Sequence, residues 1–213
     1  MNTLPLEPAD GGGRFPGFST LAQARHWDPA TAAVVMARLG RPPDIRFFTP
    51  AEEAVARALF DQLLDQHEEP RVPVVNLVDA RLAEAETDGW HYEDMPRDSA
   101  AWKASLAALD QEARSRWDRG FARLGPVWQV RVLQEIQDLH HQSWRGFPAD
   151  RLWSLWIRYA CTAFYSHPWA WDEIGFAGPA YPRGYKNLGL DRLEPFEVRD
   201  VSPGADPARG GAG

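Results

Sequence analysis

Apolar residues recur along the chain at helical spacing, and charged or turn-forming stretches separate the runs. Thr49, Pro50 and Glu52 form a capping box with proline at the first helical position, which marks a helix start. That helix runs to about residue 66 and presents Val55, Ala58, Leu59 and Leu63 as its core face. A second helix spans Val74 to about Ala85, buries Val75, Val78 and Leu82, and gives way around Gly89 to the polar turn Asp88 to Asp98. A third begins near Ser99, where Trp102, Leu106, Leu109, Ala113 and Trp117 form one stripe with charges opposite. Trp128, Val132, Ile136 and Leu139 repeat the pattern in a fourth. In the fifth, about residues 149 to 165, Leu152, Trp153, Trp156, Ile157, Tyr159, Ala160, Ala163 and Phe164 cover half the circumference or more. Such a helix is central or faces two neighbours.

No alternating stretch is long enough to predict a strand. Asp44–Phe48 and Phe196–Arg199 read as short extended pieces, each too isolated to make a sheet. The predicted fold class is all-α: an irregular bundle of about five helices with a long ordered C-terminal loop rich in glycine, proline and aromatics. Residues 1–14 and 202–213 hold almost nothing that can be buried and read as disordered tails, leaving 15–201 as a single helical domain.

The loop covers residues 164 to 185. Pro168, Gly175, Gly178, Pro179, Pro182 and Gly184 exclude a continuous helix or strand, while Trp169, Trp171, Ile174, Phe176, Tyr181 and Tyr185 supply apolar anchors that a disordered linker would lack. Of the ten tryptophans, five fall between Trp144 and Trp171. Most are accounted for by the need of a small helical domain for bulky core side chains, and a minority by surface anchoring.

Charge narrows the partners. With 30 acidic against 23 basic residues and a formal charge of −7, the chain has no basic excess to neutralise phosphates, which argues against nucleic acid. No stretch is apolar for long enough to predict membrane insertion. Cys161 is the only cysteine, so no internal disulfide forms. The N-terminal residues show no basic segment followed by an apolar one and no paired arginines, so a cytoplasmic location is expected, or export with a partner that carries the signal.

Candidate chemistry is sparse. A carboxylate-bridged metal site needs paired Glu-x-x-His repeats, and none occurs; Asp138-x-x-His141 and Asp88-x-x-His91 lack bridging glutamates. His140 and His141 are read instead as capping the last carbonyls of the fourth helix. There is no Gly-x-Gly-x-x-Gly and no Gly-x-Ser-x-Gly, and Gly11–Gly13 lies in a tail with no strand before it. Cys161, within an apolar helix, is read as core packing. His167 is the titratable residue of most interest. It is either a base, with Asp172 or Glu173 as acid, or a structural group that caps the preceding helix or pairs with a carboxylate, and the structural role carries more weight. Arg183 suits an anion or a protein interface.

The order His167-Pro168, then Glu173-Ile174-Gly175-Phe176, Gly178-Pro179-Ala180 and Pro182-Arg183-Gly184-Tyr185 resembles the C-terminal signature of the gluconate 2-dehydrogenase subunit 3 family. The resemblance extends back to Phe48-Thr49-Pro50. It implies a non-catalytic small subunit that stabilises, matures or positions a larger flavin-dependent sugar or polyol dehydrogenase of the glucose-methanol-choline type. FAD then belongs to that partner, and this chain carries no catalytic, cofactor or metal residue of its own. His167, Trp169, Trp171, Glu173, Phe176, Tyr181, Arg183 and Tyr185 become the partner-interface candidates, and Arg183 with Glu173 could lock the loop by a charge-assisted hydrogen bond. The alternatives are a free-standing sugar-active enzyme with His167 as base, and a self-associating helical domain.

Overall fold

A computed structural model describes residues 15, 18–187, 189–190 and 192–198. The expected tails, 1–14 and 202–213, lie outside the described residues. The chain divides into two compact units. The bundle unit comprises Pro42–His67 and Pro73–Phe164; the terminal unit comprises Met1–Arg41, Glu68–Val72 and Tyr165–Gly213.

In the bundle unit the helices are α2 (Pro50–Leu64), α3 (Val74–Ala83), α4 (Asp98–Trp117), α5 (Pro126–Asp138) and α6 (Ala149–Phe164), with a 3-10 turn at Phe121–Arg123; the first helix, α1 (Pro29–Ala37), belongs to the terminal unit. All five expected helices are present. The capping box at Thr49 is fully formed, the Thr49 hydroxyl accepting the Glu52 N–H while Glu52 Oε2 accepts the Thr49 N–H at 2.8 Å. α2 packs against α3, α4, α5 and α6, and α6 against α2, α3 and α5. Trp102 is fully buried, with the Phe60, Tyr159 and Phe48 rings at 5.4, 5.6 and 6.3 Å.

Two helices present different faces from those expected. α2 buries Val55, Ala56, Leu59 and Phe60, with Ala58 and Leu63 only half-buried. A hub helix with neighbours on several sides is not served by a single stripe. On α5, Trp128 is 43% exposed and leans on Trp117 at 5.5 Å. Gln129 turns inward instead, its amide donating to Phe121 O at 3.0 Å and accepting from Gln62 at 2.8 Å. A two-residue antiparallel ladder, β1 (Ser143–Trp144) with β2 (Phe147–Pro148), joins α5 to α6. Arg145 and Gly146 between them have φ of +51° and +88°, as tight hairpin turns require.

The terminal unit is built on α1 (Pro29–Ala37), α7 (Pro168–Ile174) and a 3-10 helix, Leu21–His26. Its core joins Trp27, Val35 and Trp171. α1 starts where the Asp28 carboxylate accepts the Ala30 and Thr31 N–H groups and Pro29 occupies the first turn. Near the C-terminus, buried Glu194 accepts the Lys186 and Asn187 N–H groups, and residues 195–197 form a turn. The extended piece expected over Phe196–Arg199 is replaced there by that turn, and Arg199 lies outside the described residues.

Candidate functional site

The aromatic segment is not a loop throughout. His167 leaves the helical region (φ −96°, ψ 137°), Pro168 takes the first helical position, and α7 runs to Ile174. Proline at the first position of a short helix is favourable, because that N–H has no partner within the helix. Gly175 then closes α7 in the left-handed conformation, φ +69°. A Cβ on Gly175 would collide with Val198 and Phe15, and one on Gly178, φ +75°, would collide with the Trp27 ring.

His167 caps the helix that follows it, not the one that precedes it. Its Nδ1 accepts the Trp169 N–H at 3.3 Å, and its ring meets Trp169 edge-on at 4.8 Å. It is 2% exposed, and burial pushes its pKa down to about 4, against a hydrogen bond with the Arg38 backbone that acts upward and with the Arg38 charge adding to the downward shift. Arg38 Nη1 donates to Ser166 O at 2.6 Å and lies over the Trp171 ring at 5.8 Å. Asp172 is directed elsewhere: its Oδ1 accepts the Thr20 N–H at 2.6 Å, and burial raises its pKa. Among the described residues no hydrogen bond joins His167 to Asp172 or Glu173. A buried imidazole whose free nitrogen already holds a backbone N–H is poorly placed as a base.

Arg183 does not pair with Glu173. Its Nη2 donates to Ala177 O at 3.2 Å and Pro179 O at 3.4 Å, its Nη1 donates to Gln23 Oε1 at 3.2 Å, and its Cζ sits 3.9 Å from the Phe196 ring centroid. The guanidinium saturates carbonyls that a Gly/Pro-rich turn leaves without helical partners. Trp171 is also internal, donating through Nε1 to Tyr165 O at 2.6 Å and stacking edge-on against Phe176 at 5.2 Å.

The eight candidates thus divide. His167, Trp171 and Arg183 face inward and fix the backbone; Trp169 is half-buried. Glu173, Phe176, Tyr181 and Tyr185 are exposed, Tyr181 at 69% and Tyr185 at 55%, and Ile174 joins them. The result is an apolar, partly aromatic surface carried by a backbone locked from inside.

Elsewhere, His141 Nδ1 lies 2.8 Å from Asp150 Oδ2, so it pairs with the first turn of α6 and does not cap α5. Asp88 pairs with Arg81 and Arg158. Among the described residues no group of three or more His, Cys, Asp or Glu is placed to hold a metal, and no helix is long and apolar enough to cross a membrane. Cys161 is half-buried on α6, and burial raises its thiol pKa.

The family model described as gluconate 2-dehydrogenase subunit 3 matches residues 50–178. The chain belongs to the gluconate 2-dehydrogenase subunit 3 family. The matched span opens at the first residue of α2 and ends at Gly178, where the backbone passes under Trp27. Tyr181, Arg183 and Tyr185 therefore lie past its end. No curated protein and no solved structure matches the chain. Membership in this family makes the chain an accessory subunit of a multi-subunit dehydrogenase, which implies an oxidoreductase partner.

Sequence reasoning missed α1 and α7, although Asp28-Pro29 and His167-Pro168 are both cap-proline pairs. It also missed a groove on the bundle unit, lined by α2, α4 and the Phe121–Arg123 turn. No motif marks that groove.

Proposed function

We propose that this chain is the non-catalytic small subunit of a heteromeric, FAD-dependent sugar or polyol dehydrogenase whose large subunit is of the glucose-methanol-choline type. The chain stabilises or matures that flavoprotein, and FAD and substrate are held by the larger partner. The observation that carries this reading is the outward set Ile174, Phe176, Tyr181 and Tyr185, mounted on a segment whose inward residues His167, Trp171 and Arg183 each hydrogen-bond within the chain. Exposed aromatics on a rigid backbone lose little conformational freedom on association, which favours them as interface anchors. The same segment speaks against independent sugar chemistry, because His167 is buried and engaged.

The test is co-expression of the tagged chain with the protein encoded by the adjacent reading frame. A stoichiometric complex showing the visible absorbance of bound flavin is expected. A chain that purifies alone as a stable monomer, beside a flavoprotein that folds and turns over without it, would overturn the proposal.

A further inference from the structure

On the bundle unit, α2, α4 and the Phe121–Arg123 turn border an open groove of about 520 Å3. Buried Val55 and Leu106 form its floor, and Ala51, Ala54, Ala107 and Ala122 its walls. All of these residues lie within the span matched by the family. The groove is held open by Asp110, whose Oδ1 accepts the Phe121 N–H at 2.9 Å and so ties the turn to α4. A Cβ at Gly120 would press on the same carboxylate oxygen and displace it from the Phe121 N–H.

The rim charges are unequally satisfied. Asp110 is also paired with Arg114 at 2.7 Å, and Glu52 holds the N–H and hydroxyl of Thr49 at 2.8 and 2.9 Å. Both carboxylates are therefore committed within the chain. Arg123 is exposed at the mouth, and neither it nor the neighbouring Arg119 has an ion-pair partner among the described residues. In a chain of net charge −7, this edge offers uncommitted guanidinium beside apolar surface. Ala51, Ala54 and Ala107 are themselves exposed, so the walls do not close over a small ligand as an enclosed site does.

We propose that this groove receives an apolar segment of the oxidoreductase partner, one bearing an Asp or Glu that pairs with Arg123. The inference rests on the accessory-subunit reading. It adds a second contact surface, on the bundle unit, to the aromatic surface of the terminal unit. The small wall residues let a partner backbone approach closely, and the guanidinium supplies the polar contact that sets its register.

The experiment measures affinity between the full-length chain and its flavoprotein partner for the wild type, Ala107→Trp, Arg123→Glu and Arg123→Lys. Ala107 and Arg123 are exposed, and circular dichroism with thermal melting verifies that each variant is folded. Ala107→Trp fills the groove and Arg123→Glu reverses the charge; each is expected to weaken binding about tenfold or more, with Arg123→Lys keeping most of the affinity. If Ala107→Trp does not fold, the Arg123 pair decides. Wild-type binding with folded variants that bind equally well would overturn the groove proposal alone, including the case in which the groove holds a small molecule instead. Failure of the wild type to bind any flavoprotein would overturn the accessory-subunit reading and this inference with it.

Discussion

Asp79, fully buried in α3, accepts the Phe48 N–H at 2.8 Å through Oδ2, and the same carboxylate takes the N–H groups of Phe47 at 2.9 Å and Arg46 at 2.6 Å. One side chain thus holds the extended lead-in whose end is the capping box of α2. Three successive donors reach a single carboxylate because the lead-in is not paired in a sheet, and its N–H groups would otherwise be left without partners. Asp79→Ala should destabilise the chain by about 3 kcal/mol, with Asp79→Asn costing less because one acceptor oxygen remains. Urea denaturation of the two variants checks this, and equal stability of Asp79→Ala and wild type would refute it.

Tyr159 OH donates to buried Asp98 Oδ2 at 2.6 Å, and the Arg158 guanidinium is 3.5 Å from the same oxygen. Burial raises the Tyr159 pKa, and the Asp98 carboxylate adds to the shift, so the hydroxyl stays protonated as donor. Tyr159→Phe retains the ring packed on Trp102 and removes only the donor. We expect a loss of about 1–2 kcal/mol, read from the shift in denaturant midpoint at unchanged slope.

His167 makes stability depend on pH in a defined direction. Its pKa in the folded chain is near 4, below the 6.5 of an unperturbed imidazole, so the unfolded chain binds the proton more readily. The contribution is complete above pH 6.5 and declines as pH falls from there towards 4, by up to about 3 kcal/mol. Protonation also converts Nδ1 from acceptor to donor and removes the cap on α7. Unfolding measured across this window should show a steeper slope for wild type than for His167→Ala, whose lost cap costs about 1 kcal/mol at neutral pH.

The inward and outward residues of the aromatic segment should separate in mutagenesis. Trp171→Ala opens the Trp27–Val35–Trp171 core and is expected to cost about 3–5 kcal/mol in stability. Tyr181→Ala and Tyr185→Ala remove exposed rings, should leave stability within about 0.5 kcal/mol, and should weaken partner binding about tenfold. Melting curves beside co-purification yields distinguish the two classes. Equal partner affinity for the tyrosine variants would remove this surface from the interface.

The five bundle helices were legible because helical periodicity and capping are local. Trp102, Leu106, Leu109 and Ala113 are all buried on α4 as their spacing requires, and Thr49 and Glu52 form their reciprocal cap within one turn. The family signature was legible for the same reason, as an order of residues along a short stretch. What failed was the assignment of side chains whose environment comes from elsewhere. Trp128 fits the α5 stripe yet lies outside, because Gln62 and Phe121 engage Gln129 one position along.

The sequence by itself determined the all-α class, the places where helices start, and the shape-setting glycines and prolines of the aromatic segment, since each depends on neighbours within a few residues. Tertiary structure alone decided which of those aromatics anchor and which are displayed. Arg183 meets Gln23 across 160 residues, Asp172 meets Thr20 across 152, and Gly178 lies under Trp27. Inward or outward orientation is a property of such distant contacts, because burial is settled by whatever reaches the side chain in space.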